Sequence, residues 1–183
     1  MPETPTPMAA FLRGINVGGR SLLAMAELES ALADAGLGDV RTYLQSGNVV
    51  VTPGSADPGR LGTVIEEALE ARAGRHIKVM VRTREELAAI VASNPLWDPG
   101  LAPATLHTVF LETTPEPSRL AELDPDRSPP DRFAVSGREI YLHYPNGSGR
   151  SKLGLDYFEK VLGVAGTARN WNTVTKVSQM LEE

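Results

Sequence analysis

Four stretches of this sequence, at 12–19, 43–49, 146–152 and 169–174, hold more polar side chains and glycines than regular strands or helices require. Their charged side chains are all lysine or arginine, whereas the whole chain has a formal net charge of −5 at pH 7. A solvated protein surface usually intersperses both signs of charge, so this segregation favours a site for phosphate, sulfate or a carboxylate. The chemistry indicated is recognition of a small anion.

The first two stretches offer one arginine and several amides to such a ligand. Their glycines permit either a close approach of a ligand to the backbone or simply a tight turn, and their spacing does not match the dinucleotide-binding fingerprint. Ser46-Gly47-Asn48 also has the composition of a hairpin turn, so both interpretations stay open. The candidate ligand-binding residues in these two stretches are Arg13, Asn16, Gln45, Ser46 and Asn48.

The last two stretches are predicted to begin helices. Arg150-Ser151-Lys152 departs from the Gly-Lys-Ser/Thr order of a Walker A motif, which argues against a P-loop NTPase. A glycine-rich loop that enters a helix beside two cations still favours an anion, while the alternative interpretation makes Ser151 only an N-cap. Asn170 is predicted to cap a helix over 171–181 with a buried Trp171 at its start. The candidate ligand-binding residues here are Ser151, Lys152, Arg169, Asn170, Trp171, Asn172 and Thr173.

No familiar catalytic constellation accompanies these stretches. His76, His107 and His143 fall on separate predicted strands without metal-ligand spacing, so no metal site is predicted. The sequence contains neither H-E-x-x-H nor G-x-S-x-G. A nucleophilic pair of Ser151 and Lys152 stays open, although neighbouring residues in a helix diverge by roughly 100°. Catalytic residues and cofactors therefore remain unassigned.

Hydrophobic periodicity predicts the elements that position these residues. Over 8–82 the order is β-α-β-β-α-β, which is the ferredoxin-like arrangement. Over 83–183 the predicted order is β-α-β-β-α-α after a capped helix, an incomplete echo of the first half. Residues 1–7 are predicted to be a disordered lead-in. The fold class is thus α+β, with two ferredoxin-like halves, the second incomplete, and a C-terminal helix.

Composition narrows the class of protein. The 183 residues are 42% hydrophobic and include no cysteine, and no apolar run approaches the ~20 residues of a membrane span. No secretory signal begins the sequence. A net charge of −5 argues against a general duplex-DNA binder. These observations predict a cytoplasmic protein that does not enter membranes, and they leave its oligomeric state open.

The four stretches in combination resemble the bacterial domain of unknown function 1697 family. The resemblance rests on LRGINVGG, YLQSGNVVV, RSKLG and RNWNTVTK, and it runs from about residue 8 to residue 181. It implies a cytosolic α+β protein built from two ferredoxin-like halves, and it implies no particular reaction. Beyond the candidate residues named above, the positions that match the family's motifs are Gly14, Gly47, Asn94 and Pro95.

Four hypotheses follow for the function. In the first, a polar cleft between the halves binds a small anionic ligand, either a nucleotide or a phosphorylated metabolite, and Trp171 stacks on a base. The others are a single-stranded nucleic-acid binding module, a transferase or hydrolase for a phosphorylated or acyl substrate, and purely structural motifs. The first hypothesis predicts that Arg13, Gln45, Lys152 and Arg169 cluster around one concavity.

Overall fold

Two four-stranded antiparallel sheets carry the chain. The structure, a computed structural model, describes residues 5–16, 23–54 and 57–183. The chain divides into a first unit of Met1–Ala89 with Lys176–Glu183 and a second unit of Ile90–Thr175. The strands of the first sheet are β1 (Met8–Leu12), β2 (Gly38–Tyr43), β3 (Asn48–Thr52) and β4 (Val79–Thr83), and those of the second are β5 (Leu106–Leu111), β6 (Arg132–Ser136), β7 (Glu139–His143) and β8 (Gly166–Asn170).

The first unit has the ferredoxin-like topology that the sequence predicts. Its strand order is β2-β3-β1-β4, with antiparallel pairing throughout. In the order of the chain, helix α1 (Met25–Asp34) comes between β1 and β2, and helix α2 (Leu61–Ala73) comes between β3 and β4. Alternate residues of β1 join Leu28 and Leu32 of α1 and Ile65 of α2 in one buried cluster. One face of the strand, formed by every second residue, therefore packs against one face of each helix, formed by residues three or four apart.

A tight turn between β2 and β3 depends on Gly47. Its φ of +82° lies in the left-handed region, and an added Cβ would lie 2.7 Å from Ile15 Cδ1 and 2.8 Å from Leu12 Cβ. A side chain at this position would therefore be strained and would also collide with the core. The hairpin turn that the composition of residues 46–48 predicts is confirmed.

The second unit repeats the same strand order as β6-β7-β5-β8. Its helices between strands are α4 (Pro117–Leu120) and α5 (Leu155–Leu162). Val109, Ile140 and Leu142 of the sheet pack with Phe158 and Leu162 of α5. The sheet and one full helix thus supply most of this core.

The predicted succession of two helices after β7 is wrong, because β8 lies between them. This strand, Gly-Thr-Ala-Arg-Asn, has small and polar residues in place of an apolar alternation, so the sequence pattern does not reveal it. With β8 the second sheet has the full complement of four strands. What stays incomplete relative to the first unit is α4, which has four residues where α1 has ten.

Each unit's last strand runs directly into a capped helix. Before α3 (Arg84–Ala92), Thr83 Oγ1 accepts the Glu86 N–H at 3.1 Å and Glu86 Oε2 accepts the Thr83 N–H at 2.9 Å. Before α6 (Trp171–Met180), Asn170 Oδ1 accepts the Asn172 N–H at 2.9 Å. Trp171 is 3% exposed. The capped helix predicted at the start of the second half, the Asn170 cap and the buried tryptophan are confirmed, and the Thr83–Glu86 pair forms a capping box.

The last residues of the chain are tied to the first unit. Arg41 donates through Nη2 to the Met180 carbonyl at 2.9 Å and through Nη1 to Glu183 Oε2 at 3.0 Å. Arg84 forms an ion pair with Glu182. Across the described ranges, no helix is both long and apolar enough to span a bilayer.

Candidate functional site

The polar cavity most closely linked to the predicted site residues lies at one end of the second sheet. Because Arg132 pairs with His143, the segment before β6 and the segment after β7 meet at that end. They enclose a cavity of about 600 Å³, which we call the loop pocket. Its lining includes Ser128, Asp131, Asn146, Arg150 and Ser151, together with Gly147, Gly149 and the prolines at 129 and 130.

A chain of hydrogen bonds runs along the wall of the loop pocket. Ser128 Oγ donates to Asp131 Oδ2 at 3.0 Å, and Ser151 Oγ lies 3.5 Å from Ser128 Oγ. The Lys152 N–H donates to Ser128 Oγ and the Leu153 N–H donates to Ser151 Oγ, both at 3.1 Å. Both hydroxyls are therefore held in fixed positions by backbone donors.

Aromatic side chains anchor the segment that carries these hydroxyls. The Tyr144 hydroxyl donates to the Leu153 carbonyl at 2.7 Å, and Tyr144 itself is 5% exposed. Arg127 Nε donates to the Lys152 carbonyl at 2.9 Å, and its guanidinium carbon lies 4.0 Å above the Tyr157 ring. These contacts connect an otherwise irregular loop to the core of the second unit.

The Asp131 carboxylate influences the pKa values of two neighbouring side chains, Tyr144 and His143. Burial raises the pKa of Tyr144 to about 12, and the Asp131 carboxylate adds to this effect. Burial also lowers the pKa of His143, as does the charge of Arg132, while Asp131 opposes the lowering. His143 Nδ1 is buried without a hydrogen-bond partner in the described part of the chain. A neutral imidazole and a neutral phenol thus lie beside the loop pocket at pH 7.

The loop 146–150 turns successive backbone N–H groups out of regular hydrogen bonding. Gly147 has a φ of +82° and donates its N–H to the Tyr144 carbonyl at 3.0 Å. Within the described ranges, the N–H groups of Ser148, Gly149 and Arg150 donate to no protein acceptor. Arg150 is exposed and forms no ion pair with any described residue. Successive free amides beside a free cation suit an anion.

The third stretch reaches this pocket by a route that differs from the prediction. Helix α5 begins at Leu155 with Gly154 as its N-cap, so Ser151 is not a helix cap and the cations do not lie at a helix N-terminus. Ser151 lines the loop pocket directly. Lys152 contributes its backbone N–H and carbonyl to the wall, and its side chain is exposed. A helix dipole therefore does not favour an anion at this stretch.

The fourth stretch has a structural role in the second unit: it ends β8, caps α6 and contributes buried side chains. Arg169 is 7% exposed and donates through Nη1 to Thr167 Oγ1 at 2.6 Å and to the Ala168 carbonyl at 2.9 Å. Burial lowers the pKa of Arg169 to about 10. Asn170 also donates through Nδ2 to the Ala104 carbonyl at 3.0 Å. Thr173 is buried and Asn172 is exposed.

An exposed aromatic residue outside the predicted set lies against Trp171. The Trp97 ring stacks on Trp171 with centroids 6.4 Å apart, and Trp97 is 45% exposed. Asn94 shapes the turn below it, since its Oδ1 accepts the Leu96 N–H at 2.9 Å. Asn94 Nδ2 is buried without a partner in the described part of the chain. The resemblance singled out Asn94 without indicating this role.

The first and second stretches lie together in the first unit. Asn16 Nδ2 donates to the Gln45 carbonyl at 2.7 Å and to the Leu23 carbonyl at 3.0 Å. Asn48 is fully buried and donates through Nδ2 to the Tyr43 carbonyl at 2.8 Å and to Ser46 Oγ at 3.1 Å. These bonds favour the hairpin interpretation of Asn48.

The side chains of Arg13 and Gln45 are exposed, and the pair Gly18-Gly19 lies outside the described residues. The clustering of Arg13 and Gln45 with Lys152 and Arg169 stays a prediction.

Sequence reasoning missed Ser128 and Asp131. Both lie in the stretch 124–131, whose three prolines predict a loop but indicate no function. The available signal was a serine and a carboxylate on either side of two successive prolines, a stiff segment that can present both groups in a fixed relation.

Comparisons with known proteins agree with the fold. A sequence model of a family described as protein of unknown function, DUF1697, matches residues 6–141. No curated protein matches the chain. Among solved structures, the conserved bacterial protein SP0830 from Streptococcus pneumoniae is 25% identical. The similarity covers 97% of this chain and 99% of that one, with a TM-score of 0.71.

The family match covers about three quarters of the sequence and includes Ser128 and Asp131, while the third and fourth stretches follow its end. The structural similarity extends over nearly the whole chain and therefore includes both units. The motifs, the matched range and the fold agree, and the chain belongs to the DUF1697 family of proteins of unknown function.

Proposed function

We propose that this protein binds a small anionic ligand, a phosphorylated metabolite or the phosphates of a nucleotide, in the loop pocket of its second unit. The observation that carries the proposal is the run of three backbone N–H groups, at residues 148–150, that have no acceptor among the described residues and belong to the same loop as the exposed Arg150. A phosphate accepts several hydrogen bonds at once, which fits this arrangement.

The size and chemistry of the loop pocket support a metabolite-sized ligand. Its volume of about 600 Å³ lies within the range of roughly 300–1,000 Å³ that small-molecule sites occupy. Two hydroxyls and the Asn146 amide add neutral polar groups that can orient a ligand. The Asp131 carboxylate, which is 9% exposed and accepts a hydrogen bond from Ser128, opposes an anion, and the formal charge of Arg150 in the same lining offsets it. The absence of cysteine fits the further proposal that the protein acts in the cytoplasm.

Thermal unfolding in the presence of inorganic phosphate, ATP and adenosine tests the proposal. We expect phosphate and ATP to raise the Tm, because a ligand at about 100 times its Kd stabilises the folded state by about 2.7 kcal/mol. Adenosine carries no charge and should leave the Tm unchanged. An unlabelled oligothymidine added as a fourth probe distinguishes a metabolite site from a single-stranded nucleic-acid site.

Two arginine variants decide whether the loop pocket is responsible. Arg150→Ala should weaken phosphate binding at least about tenfold, since a hydrogen bond to a charged group contributes ~1.5–3 kcal/mol. Arg119→Ala is the matched control, because Arg119 is an exposed arginine of the same unit that lies on α4, away from the pocket. Equal stabilisation by adenosine, or full phosphate affinity in Arg150→Ala, would contradict the proposal.

A further inference from the structure

Ser151, Ser128 and Asp131 form a directed chain of hydroxyl and carboxylate groups at the loop pocket. The link from Ser128 to Asp131 is 3.0 Å and the link from Ser151 to Ser128 is 3.5 Å. Catalytic hydrogen bonds are often long before a substrate is bound, so the second distance is compatible with proton transfer. All three residues line the same cavity.

The backbone donors fix the direction of this chain. Ser128 Oγ has two acceptor sites, and it receives the Lys152 N–H and the Ser151 hydroxyl, so its own hydrogen is directed to Asp131. Ser151 Oγ receives the Leu153 N–H and directs its hydrogen to Ser128. One lone pair of Ser151 Oγ is left, and Ser151 belongs to the pocket lining.

Asp131 has the surroundings of a proton acceptor and not of an ion-pair partner. It is 9% exposed, and the hydroxyl of Ser128 is the single side-chain donor to it among the described residues. No lysine or arginine of the described ranges lies within 4.0 Å of its carboxylate. A buried carboxylate with a structural role usually gathers more donors than one hydroxyl.

We infer that Ser151 is a nucleophile that accepts a phosphoryl group from a phosphoric anhydride, with Ser128 relaying its proton to Asp131. This inference rests on the proposed function, because Arg150 and the amides of 148–150 would hold the transferred phosphoryl group. Ser151 Oγ forms a bond to phosphorus as the bond from phosphorus to the bridging anhydride oxygen breaks. The leaving group departs as a nucleoside diphosphate or a carboxylate with the bridging electron pair.

The proton balance closes within the chain of three residues. The Ser151 proton passes to Ser128 Oγ, the Ser128 proton passes to Asp131 Oδ2, and Asp131 later releases a proton to water. The product is phosphoserine at position 151. Arg150 and the neighbouring N–H groups offset the charge that develops on the phosphoryl oxygens, as such groups do in known phosphoryl-transfer sites.

Incubation of the full chain with acetyl phosphate or ATP, followed by peptide mass spectrometry, tests the inference. We expect one phosphoryl group on Ser151 and none in Ser151→Ala. Asp131→Asn and Ser128→Ala should each slow the labelling by about 10²–10⁴-fold, the usual contribution of a general base. Ser118→Ala, an exposed serine of the same unit, should be labelled at position 151 at the unaltered rate.

Phosphate binding, measured as the rise in Tm, separates this inference from the proposed function. Variants that still bind phosphate but label slowly support the relay and show that they are folded. Phosphate binding without any label on Ser151, or full labelling rates in both Asp131→Asn and Ser128→Ala, overturns the inference and leaves the proposed function intact. If the unaltered protein does not bind phosphate, both the proposed function and this inference are overturned.

Discussion

The two units share one strand order and differ in the chain that follows their first helix. In the first unit α1 has ten residues and only 35–37 separate it from β2. In the second unit α4 has four residues and 121–131 separate it from β6. The second unit therefore has less helix over its sheet and more loop at the sheet end. That loop supplies Ser128 and Asp131 to the lining of the loop pocket, so the unit with the shorter helix also has the longer loop that lines this cavity.

The two units also differ in whether the cationic side chains of a surface cavity are paired with a carboxylate. The first unit has a cavity of about 510 Å³ in which Arg41 and Lys176 lie 3.0 Å and 3.9 Å from Glu183. In the loop pocket of the second unit, Arg150 has no carboxylate partner among the described residues. The two cavities thus differ in whether their cations are paired with a carboxylate.

The largest expected effect comes from the core of the second unit. Phe158→Ala should lower the free energy of unfolding by about 3–5 kcal/mol, because it leaves a cavity where α5 supplies most of the helical packing. Phe158 is fully buried, with ring centroids 5.3 Å from Phe133 and 5.2 Å from Tyr157. Urea unfolding measures the change.

Ile65→Ala in the first unit is the matched variant for that measurement. It removes a fully buried side chain of α2, and α1 remains to cover the sheet, so a loss of about 2–5 kcal/mol is expected. Phosphate binding should weaken in Phe158→Ala only, since Tyr157 beside it supports Arg127 at the pocket wall. A loss below about 1 kcal/mol in Phe158→Ala would contradict the claim that α5 carries this core.

An intermediate effect is expected at the two helix caps that follow the last strand of each unit. Thr83→Ala should cost about 1 kcal/mol, the usual value for a lost N-cap. Asn170→Ala should cost more, about 2 kcal/mol, because its Nδ2 also donates to the Ala104 carbonyl. Chemical unfolding of both variants and of the exposed-loop control Thr114→Ala gives the ranking. Equal costs at both caps would mean that the second Asn170 bond contributes nothing.

The smallest expected effect is a pH dependence that arises in the second unit. Burial lowers the pKa of His107, whose ring lies 5.1 Å from that of Tyr144. The unfolded chain therefore binds a proton near pH 6.5 while the folded protein resists it, so stability falls as the pH drops below about 6.5. His107→Phe keeps the ring contact and removes this share of the slope.

Thermal unfolding between about pH 7.5 and 5.5 measures that slope. His143, whose pKa is lowered by burial and by the charge of Arg132, supplies slope that remains in His107→Phe. An unchanged slope in His107→Phe would show that its proton binding is the same in the folded and unfolded chain.

The contrast between the units also explains what the sequence could reveal. The continuous apolar run of β1 and the helical stripes of α1 and α2 predicted these elements correctly, because their buried positions are occupied by apolar residues. Strand β8 was missed, because two of its buried positions are Gly166 and Arg169 and show no such period. Of the residues that line the loop pocket, the sequence pattern singled out Ser151 and not Ser128 or Asp131, which come close to it through the pairing of β6 with β7. Pairing between distant segments leaves no local signal.

The contacts of the last residues with Arg41 and Arg84 have a consequence for how the chain folds during synthesis. The Arg41–Glu183 bond joins residues 142 positions apart, and Arg84–Glu182 joins residues 98 apart. The first sheet leaves the ribosome long before its closing residues exist, and the whole second unit is made in between. Closing so long a loop has a large entropic cost, so we expect these clamps to be among the last native contacts to form. On this expectation, the first unit is the first to begin folding and the last to be completed.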